Sequence, residues 1–271
     1  MKDMKKTCAF LATLGLLALP AMAQQAFEVP VEGSVLPGWV HDNGSRTAAL
    51  HLELAPGWKT YWRAPGDAGI PPRFDWRGSS NLGTVAISWP TPKVFDLNGM
   101  RSVGYENALT IPLQITPKTA GQPVRLRARM ELGICADVCI PHELSFDAVI
   151  DSTETQPVPA IAAALAQRPY TASEAGVRTA TCRISPTDDG LRIEAQLTMP
   201  SAGGTEYVVI EPGPGDIWVS EAETRRNGNS LIAVSEMIEV NGGTIALDRS
   251  AVRITVLGAA HAVDIRGCTA G

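Results

Sequence analysis

The sequence predicts an all-β protein: two β-sandwich-like domains joined by a short helix. Three observations predict this. Over residues 24–153, short apolar or alternating runs recur between Gly and Pro turn signals, and helical periodicity is absent. A Pro-bounded, Ala-rich break follows at 154–172. Strand patterning then returns over 173–271.

Residues 1–23 stand outside this scheme. Lys2, Lys5 and Lys6 form a basic start, Ala9 to Leu19 an apolar core, and Ala21-Met-Ala23 a cleavage signal. This is the pattern of a secretory signal peptide, too short for a permanent membrane span. Cys8 is expected to leave with it. Without the three lysines and Asp3 of this segment, 20 basic and 27 acidic residues remain. A net acidic mature chain argues against nucleic acid and against an anionic membrane surface as partners. No later stretch reaches the ~20 apolar residues of a spanning helix, so the mature chain is expected to be exported and not membrane-spanning.

In the first domain, strands are expected at Val35–Val40, Thr47–Leu54, Val85–Trp89, Leu109–Ile115, Val124–Leu132 and Leu144–Ile150. Two irregular segments interrupt them. Trp58–Trp76 holds three tryptophans and reads as a packed loop. Trp89–Tyr105 is broken by Pro90, Pro92 and Gly99 and carries the apolar Phe95, Leu97 and Met100. Those three either pack beneath their own loop or shield something beside it. In the break, Pro159 suits a first helical position and Pro169 a stop, predicting a connecting helix over Ala160–Gln167. The second domain is expected to have strands at Leu191–Met199, Tyr207–Glu211, Leu231–Ser235, Thr244–Leu247 and Val252–Leu257.

The chemistry concentrates at Glu131-Leu-Gly-Ile-Cys135-Ala-Asp-Val-Cys139-Ile-Pro-His142. Val124, Leu126, Ala128, Met130 and Leu132 alternate with Arg125, Arg127, Arg129 and Glu131, a strand with one buried face. A second alternating run follows, so the cysteines are expected at a β-hairpin tip with Ala136-Asp-Val138 as loop. Opposed residues there lie within disulfide reach. A bond closing so small a ring adds little stability and is free for chemistry. Three readings compete: a structural disulfide; a redox pair exchanging with another protein's dithiol; and a soft-metal site for Cu(I) formed by Cys135, Cys139 and His142, as in a copper-delivery or tolerance module. Zinc would need a fourth ligand.

Four cysteines remain after export. Proximity favours Cys135–Cys139, which leaves Cys182–Cys268 by elimination as a long structural bridge. No cation sits within the motif, whereas Glu131, Asp137 and Glu143 do, so a sluggish thiol is expected. Asp137 and Glu143 are candidates for a proton relay. His51 and His261 read as structural. No nucleophile elbow, phosphate loop, zinc-protease or dinucleotide motif is present, and no cofactor is expected.

The run Gly133-Ile-Cys135-Ala-Asp-Val-Cys139-Ile-Pro-His-Glu143 resembles the active-site segment of the N-terminal periplasmic domain of the thiol:disulfide interchange protein DsbD family. Gly104–Pro112 is similar to the family's strand leading toward that site, and Trp62–Pro72 and Trp89–Pro92 look like its ScsB-like branch. The resemblance covers roughly residues 28–150. It implies an immunoglobulin-like sandwich, a redox role for Cys135 and Cys139, and a cap over them at Phe95–Met100. It implies a periplasmic protein-disulfide reductase component. Its electrons would come from a thioredoxin-like domain or a membrane carrier of the DsbD/CcdA type. Its acceptor would be a periplasmic disulfide isomerase or another thioredoxin-fold protein. The family's membrane region and thioredoxin domain are not matched in this sequence, and the family's cysteine loop is longer.

Overall fold

A computed structural model describes residues 30–66, 69–97, 100–151 and 153–271, so the segment expected to be a signal peptide lies outside the described residues. The described chain is nearly all β, with two sandwiches in series.

The first sandwich is built from β1 (Val31–Val40), β2 (Arg46–Leu54), β3 (Lys59–Tyr61), β4 (Arg73–Asp75), β5 (Leu82–Ile87), β6 (Lys93–Leu97), β7 (Met100–Glu106), β8 (Ala108–Pro117), β9 (Val124–Cys135) and β10 (Cys139–Ile150). One sheet has the order β1-β2-β8-β5. The other has the order β10-β9-β3-β7-β6, with β4 also on β9. The alternation in β9 does what the pattern predicts. Val124, Leu126, Met130 and Leu132 are buried in a core with Leu50, Ile111 and Trp62, and the charged residues between them face out.

One expectation is corrected. The segment after Trp89 is not irregular: β6 and β7 form an antiparallel hairpin, Leu97 opposite Met100. Pro90 and Pro92 fall before β6, and Asn98-Gly99 is a sequence typical of a hairpin turn. The Trp58–Trp76 segment does pack: Trp62 is fully buried, with Trp58 and Trp76 against the same core.

The connecting helix α1 (Pro159–Ala166) starts with proline in its first turn, as read. Its Ile161 is buried against Trp39 and Ala49, so the helix docks on the first sandwich. The expected linker also yields a strand. β11 (Tyr170–Thr171) pairs in parallel with β19 (Ala262–Arg266).

The second sandwich continues with β12 (Thr179–Pro186), β13 (Leu191–Thr198), β14 (Tyr207–Glu211), β15 (Ile217–Val219), β16 (Glu223–Asn227), β17 (Ser230–Glu239), β18 (Arg253–Leu257) and, after β19, β20 (Thr269–Ala270). Its sheets run β11-β19-β18-β14 and β15-β17-β13-β12-β20, with β16 also on β17. The strand expected at Thr244–Leu247 does not form. Ile245 and Leu247 pack on the second core without a partner strand, just after Gly242-Gly243. Cys182 and Cys268 are bonded, Cα atoms 5.7 Å apart, where β12 lies beside β20. His51 bonds Thr110 and His261 stacks on Tyr170, both structural uses.

The sandwiches meet through charge as well as apolar contact; Leu257 and Ala262 join the first core. Asp264 is bonded by Arg253 at 2.9 Å and approached by Arg63 at 4.0 Å. Burial pushes its carboxyl up, but the Arg253 hydrogen bond and the charges of Arg253, Arg63 and Arg266 outweigh that and hold it below the usual range. A depressed folded pKa stabilises above the unfolded value, near pH ~4, and that contribution is lost as pH falls through the folded value. The thermal midpoint is therefore expected to drop below about pH 4, and less steeply in Asp264→Asn. Equal acid slopes for both chains would contradict this.

Candidate redox site around Cys135 and Cys139

The β9–β10 ladder runs in unbroken register from Val124–Ile150 to Cys135–Cys139. The two cysteines close its tip as a disulfide, Cα atoms 4.1 Å apart. The loop 136–138 turns without glycine, held by Ala136 N–H donating to the Val138 carbonyl at 3.1 Å. No residue in it has positive φ, so the lack of glycine costs nothing there.

Cys135 continues the outward-facing set of β9, yet it is only 6% exposed, while Cys139 is exposed. The cover comes from β3. Thr60 points to the core side and bonds the Gly133 carbonyl at 3.0 Å, so Lys59 and Tyr61 point to the cysteine side. The Tyr61 hydroxyl lies 2.8 Å from Cys135 Sγ and 3.2 Å from Cys139 Sγ. Disulfide sulfurs carry no proton, so the phenol is the donor. Burial raises the Tyr61 pKa above its ordinary value, which keeps the hydroxyl protonated and donating at physiological pH.

Two glycines make room for this ring. A Cβ on Gly133 would sit 3.1 Å from the Tyr61 ring and 2.7 Å from Ile70 Cβ. A Cβ on Gly69 would sit 2.8 Å from the other edge of the ring and 2.3 Å from Pro65 Cβ. Tyr61 is thus slotted between Gly69 and Gly133, and only residues lacking a Cβ leave the slot open.

Lys59 pairs directly with Cys135 across β3 and β9 and shares its face. Its ammonium lies 4.6 Å from the centre of the Phe95 ring. The carboxylate opposite it, Glu106, is taken by Lys93 at 2.5 Å. The motif itself holds no cation, and strand pairing adds Lys59 from outside it. Glu143 is neutralised by Arg129 at 3.2 Å, and Asp137 is exposed at the tip. Among the described residues, Tyr61 is the hydrogen-bond partner of the paired sulfurs, not either carboxylate.

Of the expected cap, Phe95 is half-buried over Lys59, and Met100 is 57% exposed. The Leu97 side chain lies outside the described residues. His142 stands three positions along β10 from Cys139, an odd spacing that puts it on the opposite face. Among the described residues no three His, Cys, Asp or Glu side chains gather as a metal set. With Cys135 and Cys139 bonded to each other, His142 does not stand beside them on their face.

Residues 29–150 match the family model described as thiol:disulfide interchange protein DsbD, N-terminal. This part of the chain is similar to a DsbD N-terminal domain. The match spans the whole first sandwich, including β3, the Tyr61 slot and both cysteines. Among solved structures, the N-terminal periplasmic domain of ScsB from Proteus mirabilis aligns with a TM-score of 0.65 at 20% identity. That alignment covers 89% of this chain and 93% of that one. At that identity the likeness establishes the fold, and it extends through the second sandwich. A family 123 glycoside hydrolase from Clostridium perfringens aligns at a TM-score of 0.22 and 11% identity, over 49% of this chain and 29% of that one, too low to indicate a shared fold. No curated protein matches in sequence. The DsbD-type domain supports thiol–disulfide exchange as the chemistry of the pair. Among the described residues no helix is long and apolar enough to cross a membrane.

Proposed function

We propose that this chain is a periplasmic thiol–disulfide exchange protein that carries electrons from a membrane-bound reductase partner, through a thioredoxin-like donor, to disulfides of periplasmic proteins. One observation carries the reading. The pair is asymmetric, with Cys139 open and Cys135 sheltered beneath a hydrogen-bond donor.

The donor's thiolate attacks Cys139 Sγ, the accessible sulfur. The Cys135–Cys139 bond breaks as the mixed disulfide forms, and Cys135 leaves as a thiolate. The Tyr61 hydroxyl and the Lys59 ammonium stabilise that thiolate. The donor's second thiolate then attacks the mixed disulfide and releases Cys139. Two electrons and two protons have moved, and the donor leaves oxidised. Passing them on reverses the order: the Cys139 thiolate attacks the acceptor disulfide and Cys135 resolves it. The Phe95 ring is the part of the proposed cap that acts on the site, by holding Lys59 beside Cys135. Met100 is offered to the partner's surface.

Tyr61→Phe keeps the ring in its slot and removes only the donor. A hydrogen bond to a charged acceptor is worth about 1.5–3 kcal/mol, so reduction at pH 7 is expected to slow about tenfold. The alkylation midpoint of Cys135 should also move to higher pH. An unchanged rate and midpoint would remove Tyr61 from the mechanism.

The function itself is tested by mixing the oxidised chain with a reduced thioredoxin-fold protein. Maleimide labelling is expected to find Cys135 and Cys139 free and the donor oxidised in equal amount. A pair that stays bonded, while the same donor reduces an unrelated disulfide, would refute the reading.

A further inference from the structure

The family model ends at residue 150, so nothing in it assigns a task to the second sandwich. We infer that the second sandwich positions the redox site, through two arginine–carboxylate clamps on the walls that hold Tyr61. The inference rests on the exchange reading above.

The segment after β3 is the outer wall of the tyrosine slot, with Pro65, Gly69 and Ile70 around the ring. It is zipped to β7: Trp62 N–H donates to the Val103 carbonyl at 2.9 Å and Val103 N–H to the Pro65 carbonyl at 2.8 Å. Each of these strips carries one arginine held by the second sandwich. Arg63, two residues after Tyr61, stacks on Trp62 at 3.8 Å. It forks onto Glu211 of β14 at 3.0 and 2.9 Å and reaches Thr255 of β18 at 3.3 Å. Arg101 of β7 lies over Tyr207 at 4.4 Å. Its backbone N–H bonds Glu221 at 3.0 Å and its guanidinium meets the same carboxylate at 3.1 Å.

Between the clamps a gap remains at one place in the contact of the two sandwiches. A cavity of about 390 Å³ separates Pro65, Gly66, Gly69 and Pro71 from Ile210 and Trp218. The two clamps hold the wall across this gap. Bidentate arginine–carboxylate pairs fix direction as well as distance. The Arg63 pair is the more sheltered, with 13% and 23% side-chain exposure, so salt screens it little. Arg63, Arg101, Glu211 and Glu221 are positioning residues, acting through Tyr61. Because Cys139 is already open, loosening the wall does not uncover the target sulfur. It only draws the donor away from Cys135.

The test uses the full chain with Glu211→Gln and Glu221→Gln together, in the native and in the Tyr61→Phe background. The readout is the rate at which dithiothreitol reduces Cys135–Cys139. With Tyr61 present, the double change is expected to slow reduction about fivefold, a coupling of the size seen between residues in one network. In Tyr61→Phe it is expected to change the rate less than about twofold, because the group it positions is gone. Glu211→Asp with Glu221→Asp should return part of the loss. An unchanged rate with Tyr61 present, or equal slowing in both backgrounds, overturns the inference. Neither result touches the exchange reading, which fails only if the native chain is not reduced by a thioredoxin-fold donor. If the double variant does not fold, Glu221→Gln alone gives the same comparison through the more exposed Arg101 pair.

Discussion

Cys139→Ala is expected to abolish exchange, whereas Cys135→Ala is expected to accumulate a stable mixed disulfide with the partner. The two sulfurs are adjacent in the ladder but not equivalent in access. Cys139 is exposed beside Val138, itself 63% exposed, while Cys135 is 6% exposed under Tyr61. In-line attack needs an open sulfur on one side and a stabilised leaving group on the other. Without Cys139 there is no sulfur for a partner to reach. Without Cys135 the partner joins Cys139 and nothing resolves the bond from this side. Non-reducing electrophoresis of each reduced variant, mixed with a thioredoxin-fold partner in its disulfide form and quenched with acid, reads the outcome: the Cys139 thiolate attacks the partner's disulfide and one partner cysteine leaves as a thiolate. A mixed disulfide forming equally well through Cys135 would show that the sheltering of that sulfur has no consequence.

Replacing Cys182 and Cys268 with serine is expected to cost about 4–5 kcal/mol of stability, because the bond closes a loop spanning 86 residues of sequence separation. The same chain-entropy estimate gives only about 2 kcal/mol for Cys135–Cys139, whose separation is four. The long bond also ties the start of the second sandwich to its last strand, with Cys182 fully buried. Urea unfolding of the second sandwich, followed by Trp218 fluorescence, measures the loss. A change under about 1 kcal/mol would mean that the unfolded chain is already restricted there.

The near-and-far division of the cysteines was legible in the sequence because it depends on local evidence: alternation in β9, a return run in β10, and loop length. The docked helix was legible for the same reason, from Pro159 and the Ala-rich run after it. Tyr61 and Lys59 were not legible. They sit on a three-residue strand, too short to show alternation, and meet Cys135 across a sequence separation of 74 for Tyr61. The charge argument about the thiol counted neighbours along the chain, and so could not include Lys59, which strand pairing places opposite Cys135. Glycines carried a usable signal. Gly133 interrupts an otherwise bulky strand, which marks a place where another group approaches the backbone. The β6–β7 hairpin was hidden because its prolines were read as breaking a strand they precede. Thr244–Leu247 shows the reverse error, apolar residues that pack on a core without pairing.

The central claim is that one disulfide cycles while the other holds. The most direct measurement is the redox state of all four cysteines in protein isolated from its cells after acid quenching, by differential alkylation and mass spectrometry. A substantial fraction with Cys135 and Cys139 free, and Cys182 and Cys268 bonded throughout, is the predicted result. Cys135–Cys139 found fully bonded in every growth condition would contradict it.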